Sequence, residues 1–167
     1  MPQITPCLWF DTQAEEAAHF YCSLFPNSQI RSITHFSEGV PTRPAGMVMS
    51  VQFTLDGREM QALNGGPEFK FTEAVSMSVS LETQEEIDGL WGRLCSEGGQ
   101  EGQCGWCKDK FGLSWQVVPR VLEQWIAEGG EGKEVEEVEE KRGRVMRCIM
   151  GMKKIVIADL QAAYGDE

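Results

Sequence analysis

Thr83-Gln84-Glu85-Glu86 repeats, later in the chain, the pattern of Thr12-Gln13-Ala14-Glu15-Glu16. Both fit the T-x-x-E capping box, in which Thr and Glu satisfy orphan helix amides reciprocally, so each predicts a helix start. Behind the first box Ala14, Ala17, Ala18, Tyr21, Leu24 and Phe25 share one helix face. Behind the second, Ile87, Leu90, Trp91, Leu94 and Cys95 recur at helical spacing. In front of each box the chain alternates with the period of a strand. In Gln3 to Phe10, Pro6, Leu8 and Phe10 oppose Cys7 and Trp9; in Ser76 to Glu82, Ser76, Ser78 and Ser80 oppose Met77, Val79 and Leu81. A strand face made of three serines borders a cavity or solvent.

The segments after the two helices also correspond. Ser28 to Ser37 reads as a strand, and Met47 to Leu55 and Glu59 to Asn64 as two strands joined at Asp56-Gly57, a strong hairpin signal. In the second half Gln103 to Lys108 and Leu113 to Val118 are joined through Lys110-Phe111-Gly112. Each half therefore reads strand, helix, strand, strand, strand, with hairpins outnumbering crossovers. The expected fold is α+β: two βαβββ modules forming a curved, mostly antiparallel sheet around a cavity, with C-terminal helices. The paired modules span residues 1–118, the first about 1–73 and the second about 74–118, and 119–167 is a helical extension packed on the same domain.

In that extension Val121, Leu122, Trp125 and Ile126 predict a short helix broken at Gly129-Gly130. Glu131 to Glu140 is acid-rich, and Val145, Met146, Ile149 and Met150 follow at helical spacing, so a largely exposed helix docks by its last turns. Lys153 to Ile157 is extended or turning, and Ala158 to Tyr164 is a final helical turn or two.

The 167 residues are 41% hydrophobic and 25% charged, which suits a globular protein able to bury its own core. A net charge of -11 argues against nucleic acid or an anionic membrane as partner. No apolar run is long enough to span a bilayer, and Met1 to Pro6 lacks a basic run followed by an apolar stretch. A cytoplasmic protein with its six cysteines reduced is expected.

Several stretches resemble a known family. They are Leu8-Trp9-Phe10-Asp11 before an A-E-E-A-A-x-F-Y helix, Leu24-Phe25-Pro26-Asn27-Ser28, and Asn64-Gly65-Gly66-Pro67 with Phe69 and Phe71. Cys104-Gly105-Trp106 then leads into the run from Lys108 to Pro119, and Arg144-Val145-Met146 and Met152 to Leu160 complete the match. Together they are similar to the PhnB-like branch of the vicinal oxygen chelate superfamily, with glyoxalase I, bleomycin-resistance proteins and extradiol dioxygenases. The resemblance implies paired βαβββ modules around a cavity, usually in a homodimer. Members often carry the label 3-demethylubiquinone 3-methyltransferase. Methyl transfer from S-adenosylmethionine commonly uses a glycine-rich strand-to-helix loop, and Gly65-Gly66, Gly98-Gly99 and Gly129-Gly130 are not placed in that way. That activity is not expected.

The resemblance also implies a divalent cation held by His and Glu from the first and last strands of each module, polarising substrate oxygens. Its positions fall near Pro6, near Gln61 or Leu63, and near Ser76 and Gln116. These are weak donors for a divalent ion, and His19 and His35 lie elsewhere, so no metal and no cofactor is expected. Cys104-Gly105-Trp106-Cys107 would be a zinc or redox pair only at a helix start or beside further ligands. Read as a strand, it puts its two cysteines on opposite faces.

Strand parity groups Ser114 and Gln116 with Ser76 and Ser78 as an inner face, walled by Leu8, Phe10 and Leu63. Gln61, Phe69 and Trp106 complete the candidate ligand-binding set, with Phe69 and Phe71 either covering the cavity or plugging a partner subunit. Trp91 and Trp125 are expected in the core, His19 partly exposed, and Asp11 as a helix cap. Such a face suits a small, neutral or weakly polar ligand. A polar-lined core holding ordered water is the competing reading of the same residues. The leading expectation is a homodimeric small-molecule-binding protein without the usual metal ligands. The alternatives are an enzyme of the same fold, of lyase, isomerase or transferase type, acting on a small metabolite through side chains or a weakly bound divalent cation, and an interaction role for the acidic helix.

Overall fold

The computed structural model describes residues 3–40, 43–127 and 133–165. The chain folds as two compact units that divide between Phe71 and Thr72. In the first, β1 (Cys7–Phe10), α1 (Ala14–Leu24), β2 (Gln29–His35), β3 (Val48–Leu55) and β4 (Arg58–Asn64) form a four-stranded sheet in the order β1-β4-β3-β2. In the second, β5 (Ser76–Leu81), α2 (Gln84–Leu94), β6 (Gln100–Glu101), β7 (Trp106–Lys108) and β8 (Ser114–Pro119) form a sheet in the order β5-β8-β7-β6. The first strand pairs parallel with the last in both sheets, and the other pairs are antiparallel. The repeat expected from the two Thr-x-x-Glu boxes is therefore a repeat of topology, and the fold is α+β. The Asp56-Gly57 hairpin is present, with φ of 48° and 75°, the left-handed pair that a tight two-residue turn requires.

The two helix starts differ. At α2, Thr83 accepts the Glu86 amide hydrogen at 3.2 Å and the Glu86 carboxylate accepts that of Thr83 at 2.9 Å, a complete capping box. At α1 the cap residue is Gln13 with no side-chain cap, and neither Thr12 nor Asp11 plays the part expected of it. Asn64 Oδ1, at the end of β4, accepts the Ala14 amide hydrogen at 2.8 Å instead. A buried amide that converges in space replaces the local box.

Each helix covers one sheet face. Ala14, Ala17, Ala18 and Tyr21 are buried with Leu8, Phe10, Val51, Phe53, Met60 and Ala62. Ile87, Leu90, Trp91 and Leu94 are buried with Cys107, Trp115 and Val117. Full burial of a side chain such as Ile87 or Leu94 contributes about 2 kcal/mol.

After β8 come α3 (Arg120–Ala127), α4 (Lys133–Met150) and α5 (Ile157–Tyr164). Leu122, Trp125, Val145, Ile149, Ile155, Leu160 and Tyr164 build their core, against which Cys104 and Val118 pack. Trp125 stacks on Tyr164 with centroids 4.4 Å apart, and Arg144 Nε and Nη2 donate to the last carbonyls of α5, those of Ala163 and Tyr164. The break expected at Gly129-Gly130 lies outside the described residues. No helix among the described residues is long and apolar enough to cross a membrane.

Candidate functional site

In the second unit, register fixes which side chains share a face. Ser76 pairs with Ser114, Ser78 with Gln116, Trp106 with Gln116 and Lys108 with Ser114. Paired residues project to the same side of a sheet. Ser76, Ser78, Trp106, Ser114 and Gln116 therefore lie together, opposite the face packed under α2. Gln116 Nε2 donates to Ser76 Oγ at 2.8 Å.

A cavity of about 200 Å³ opens beside this group, lined by Glu73, Gln100, Trp106, Lys108 and Ser114 among others. Ser114 is 1% exposed, and its hydroxyl has no hydrogen-bond partner among the described residues. Leaving a buried hydroxyl unpaired costs about 1–3 kcal/mol, so this one marks a place where the fold is not optimised for itself. Lys108 Nζ reaches Glu73 Oε1 at 2.6 Å. That hydrogen bond, with the positive charge behind it, holds the Glu73 carboxyl below its usual range. Sequence reasoning passed over Glu73, Gln100 and Lys108. For Lys108 the signal was present, because it has the same strand parity as Trp106.

The hairpin that presents Ser114 is tied by a residue also passed over. Asp109 is 2% exposed; its Oδ1 accepts the amide hydrogens of Phe111 and Leu113, and its Oδ2 accepts the Trp115 indole hydrogen at 2.8 Å. A carboxylate bonded to the amide two residues on is an Asx turn, and Asp before Lys-Phe-Gly was the sign of it.

The first unit divides its candidates differently. Leu8 pairs with Ala62 and Phe10 with Asn64, whereas Cys7 pairs with Gln61 and Trp9 with Leu63. Leu8 and Phe10, 7% and 4% exposed, face the helix-covered core. Gln61 and Leu63 lie on the opposite face with Cys7 and Trp9. Leu8 and Phe10 therefore do not share a wall with Leu63, contrary to expectation. Both phenylalanines of the following loop rest on β1: Phe69 meets Trp9 edge-on at 5.0 Å and Phe71 meets Phe10 at 5.2 Å.

The cysteine motif also needs correction. Cys104 is not in a strand: its φ is 58°, and the amides of Cys104 and Gly105 donate to the carbonyls of Met152 and Lys153. Cys107 in β7 is buried, and the thiol that interacts with it is that of Cys95. Burial above all, then the nearby Cys95 thiol, pushes the Cys107 thiol far above the ordinary range.

At the positions where the resemblance implies a cation, the residues do not fit one. Ser76 and Gln116 offer a hydroxyl and an amide already bonded to each other. No group of three or more His, Cys, Asp or Glu side chains converges among the described residues.

Residues 2–118 match the family model described as 3-demethylubiquinone-9 3-methyltransferase. Among solved structures, a Bacillus cereus PhnB protein, named as a candidate 3-demethylubiquinone-9 3-methyltransferase, is 36% identical with a TM-score of 0.63. The alignment covers 71% of this chain and 99% of that one. Protein PA1353 of Pseudomonas aeruginosa is 21% identical over 71% of this chain and 98% of its own, with a TM-score of 0.56. A mutant of the fosfomycin resistance protein FosX from Listeria monocytogenes, solved with Mn(II) and a dihydroxypropylphosphonic acid, is 12% identical over 75% and 98% of the two chains, with a TM-score of 0.53. The last two show the fold alone. A search of the curated proteins finds no match. With the βαβββ repeat, the model match and the Bacillus cereus relative in agreement, the chain belongs to the PhnB-like, 3-demethylubiquinone-9 3-methyltransferase family of the vicinal oxygen chelate superfamily.

Proposed function

We propose that this protein binds a small molecule on the open face of the second unit's sheet, without the metal ligands usual for its superfamily. The observation that carries this reading is the Ser114 hydroxyl, buried without a partner among the described residues beside a cavity of about 200 Å³. A core designed only for stability would place an alanine or a bonded serine there. Trp106 supplies an aromatic wall, and Ser76, Ser78 and Gln116 supply polar groups on the same face, the composition expected of a site that orients a compact ligand.

A fragment library of neutral and singly charged compounds, observed by saturation-transfer NMR on the full chain, tests this. Hits that Ser114→Ala weakens support the reading; an absence of Ser114-dependent hits ends it. Turnover that depends on added Mn²⁺ and is abolished by a chelator would replace it with the enzyme reading.

The family resemblance supports a homodimer, and light scattering coupled to size exclusion tests it.

A further inference from the structure

We infer that the occupant of the Ser114 pocket is a compact aromatic monocarboxylate, its carboxylate held by Lys108 and Ser114 and its ring lying against Trp106. The inference rests on the binding reading above and specifies its ligand.

The donor and acceptor inventory carries the argument. Glu101, at the pocket edge, has both oxygens engaged, Oε1 by the Trp91 indole hydrogen and Oε2 by Lys153. Glu73 is engaged by Lys108. What remains is a surplus of donors. Among the described residues the Ser114 hydroxyl and the Trp106 indole N–H have no partner, and the three-donor Lys108 ammonium has Glu73 alone. A ligand that completes this set is rich in acceptors.

Geometry narrows the acceptor to a carboxylate. Lys108 and Ser114 are direct cross-strand neighbours on β7 and β8, so their Cβ atoms stand about 5 Å apart. One carboxylate can take a charge-assisted bond from the ammonium with one oxygen and the hydroxyl hydrogen with the other. Lys108 is also the more enclosed partner of its ion pair, 32% exposed against 63% for Glu73. Glu73 can swing into water while Lys108 stays to receive the ligand.

Charge and size set the upper bounds. Glu73 is offset by Lys108 and Glu101 by Lys153, so the pocket is balanced before the ligand arrives. One further negative charge is compensated when Glu73 is released to solvent, and a second has no counterpart. The cavity equals about seven waters at ~30 Å³ each, enough for a single ring bearing a carboxylate. The indole face of Trp106 favours an aromatic ring over an aliphatic chain.

Benzoate is the probe, with benzamide, benzylammonium and phthalate as comparisons, titrated by calorimetry into the full chain. Benzoate binds, at least about tenfold more tightly than benzamide or phthalate, and benzylammonium does not bind. Lys108→Gln weakens benzoate about tenfold and leaves benzamide unchanged, whereas Glu73→Gln strengthens benzoate about threefold by freeing the ammonium. Circular dichroism confirms that each variant is folded. Benzamide binding as tightly as benzoate, or indifference of benzoate to Lys108→Gln, overturns the monocarboxylate assignment. Ser114-dependent benzamide binding would then leave the pocket reading standing. Failure of benzoate to bind overturns the inference, and failure of the fragment screen as well removes the reading beneath it.

Discussion

Asn64 Oδ1 accepts the amide hydrogen of Ala14 at 2.8 Å while Asn64 Nδ2 donates to the Val48 carbonyl at 3.0 Å. One buried side chain thus joins the start of α1 to the ends of β3 and β4. Asn64→Ala leaves an amide and a carbonyl without partners and is expected to cost about 2–3 kcal/mol. Asn64→Asp keeps the acceptor for Ala14 but turns a carboxylate oxygen toward the Val48 carbonyl, so it does not restore stability. Denaturant midpoints, with amide exchange of α1 as the local readout, check both variants.

The two threonines of the repeat should respond unequally. Thr83→Ala removes a formed cap and is expected to cost about 1 kcal/mol, whereas Thr12→Ala stays within about 0.5 kcal/mol because no cap exists there to lose. The Glu86 carboxyl is held below the usual carboxylate range by the amides of Thr83 and then Glu82. A depressed folded value stabilises above the unfolded pKa. The Glu86 contribution is therefore complete above a pH of about 4.5 and is lost as pH falls through the folded value. Glu86→Gln should flatten the acid limb of the stability curve relative to wild type.

Why the reading of Thr83 holds and that of Thr12 does not is a matter of distance along the chain. Every partner in the Thr83 box lies within a single turn, so sequence spacing describes it fully. The competitor at α1 is Asn64, fifty positions away, and only the parallel pairing of β1 with β4 brings it there. The same contrast governs the site. Ser76, Ser78 and Ser80 alternate with Met77, Val79 and Leu81, so polarity by itself marks the open face of β5. In β1, Leu8, Trp9 and Phe10 are all apolar, and parity cannot say which side a helix will cover. Glu73 lies outside every regular element, and no periodicity could pair it with Lys108.

Asp109 should behave as the fastening of the β7–β8 hairpin. Its three N–H donors leave no room for a donor in its place. Asp109→Asn turns an amide nitrogen toward either the Trp115 indole or the turn amides and is expected to cost about 2–3 kcal/mol. Because Ser114 follows directly from that turn, the variant should also lose the ligand site. Thermal denaturation and near-ultraviolet dichroism of Trp115 report the first effect, and fragment binding reports the second.

Ser114→Ala should do the reverse for stability. Removing a buried hydroxyl that has no partner among the described residues relieves a desolvation cost, so the ligand-free variant gains up to about 1 kcal/mol. Binding falls at the same time. A variant that is more stable and binds less separates a functional hydroxyl from a packing residue, since a packing residue would lose both. Melting temperature measured with and without a bound fragment gives the two signs in one experiment.

Gly65 lies in close approach to the Trp9 indole in the first unit. A Cβ there would overlap the six-membered ring of the Trp9 indole, which is a rigid group and cannot yield by rotating a flexible tip. The indole is held in place by its hydrogen bond to the Gly66 carbonyl at 2.8 Å and by the edge of Phe69, while Arg43 Nη2 donates to the Gly65 carbonyl at 2.7 Å. Gly65→Ala must therefore push Trp9 outward, breaking the hydrogen bond and releasing Phe69, at a cost of about 1–3 kcal/mol. Trp9 emission should shift to the red relative to wild type, and the same substitution in a Trp9→Phe background should produce no such shift. Phe71 remains on Phe10 in either case, because that contact belongs to the helix-covered face. Loss of ordered NMR contacts at Phe69 but not at Phe71 would show that the Gly65-Gly66 turn positions one loop aromatic through Trp9 and leaves the other to the core.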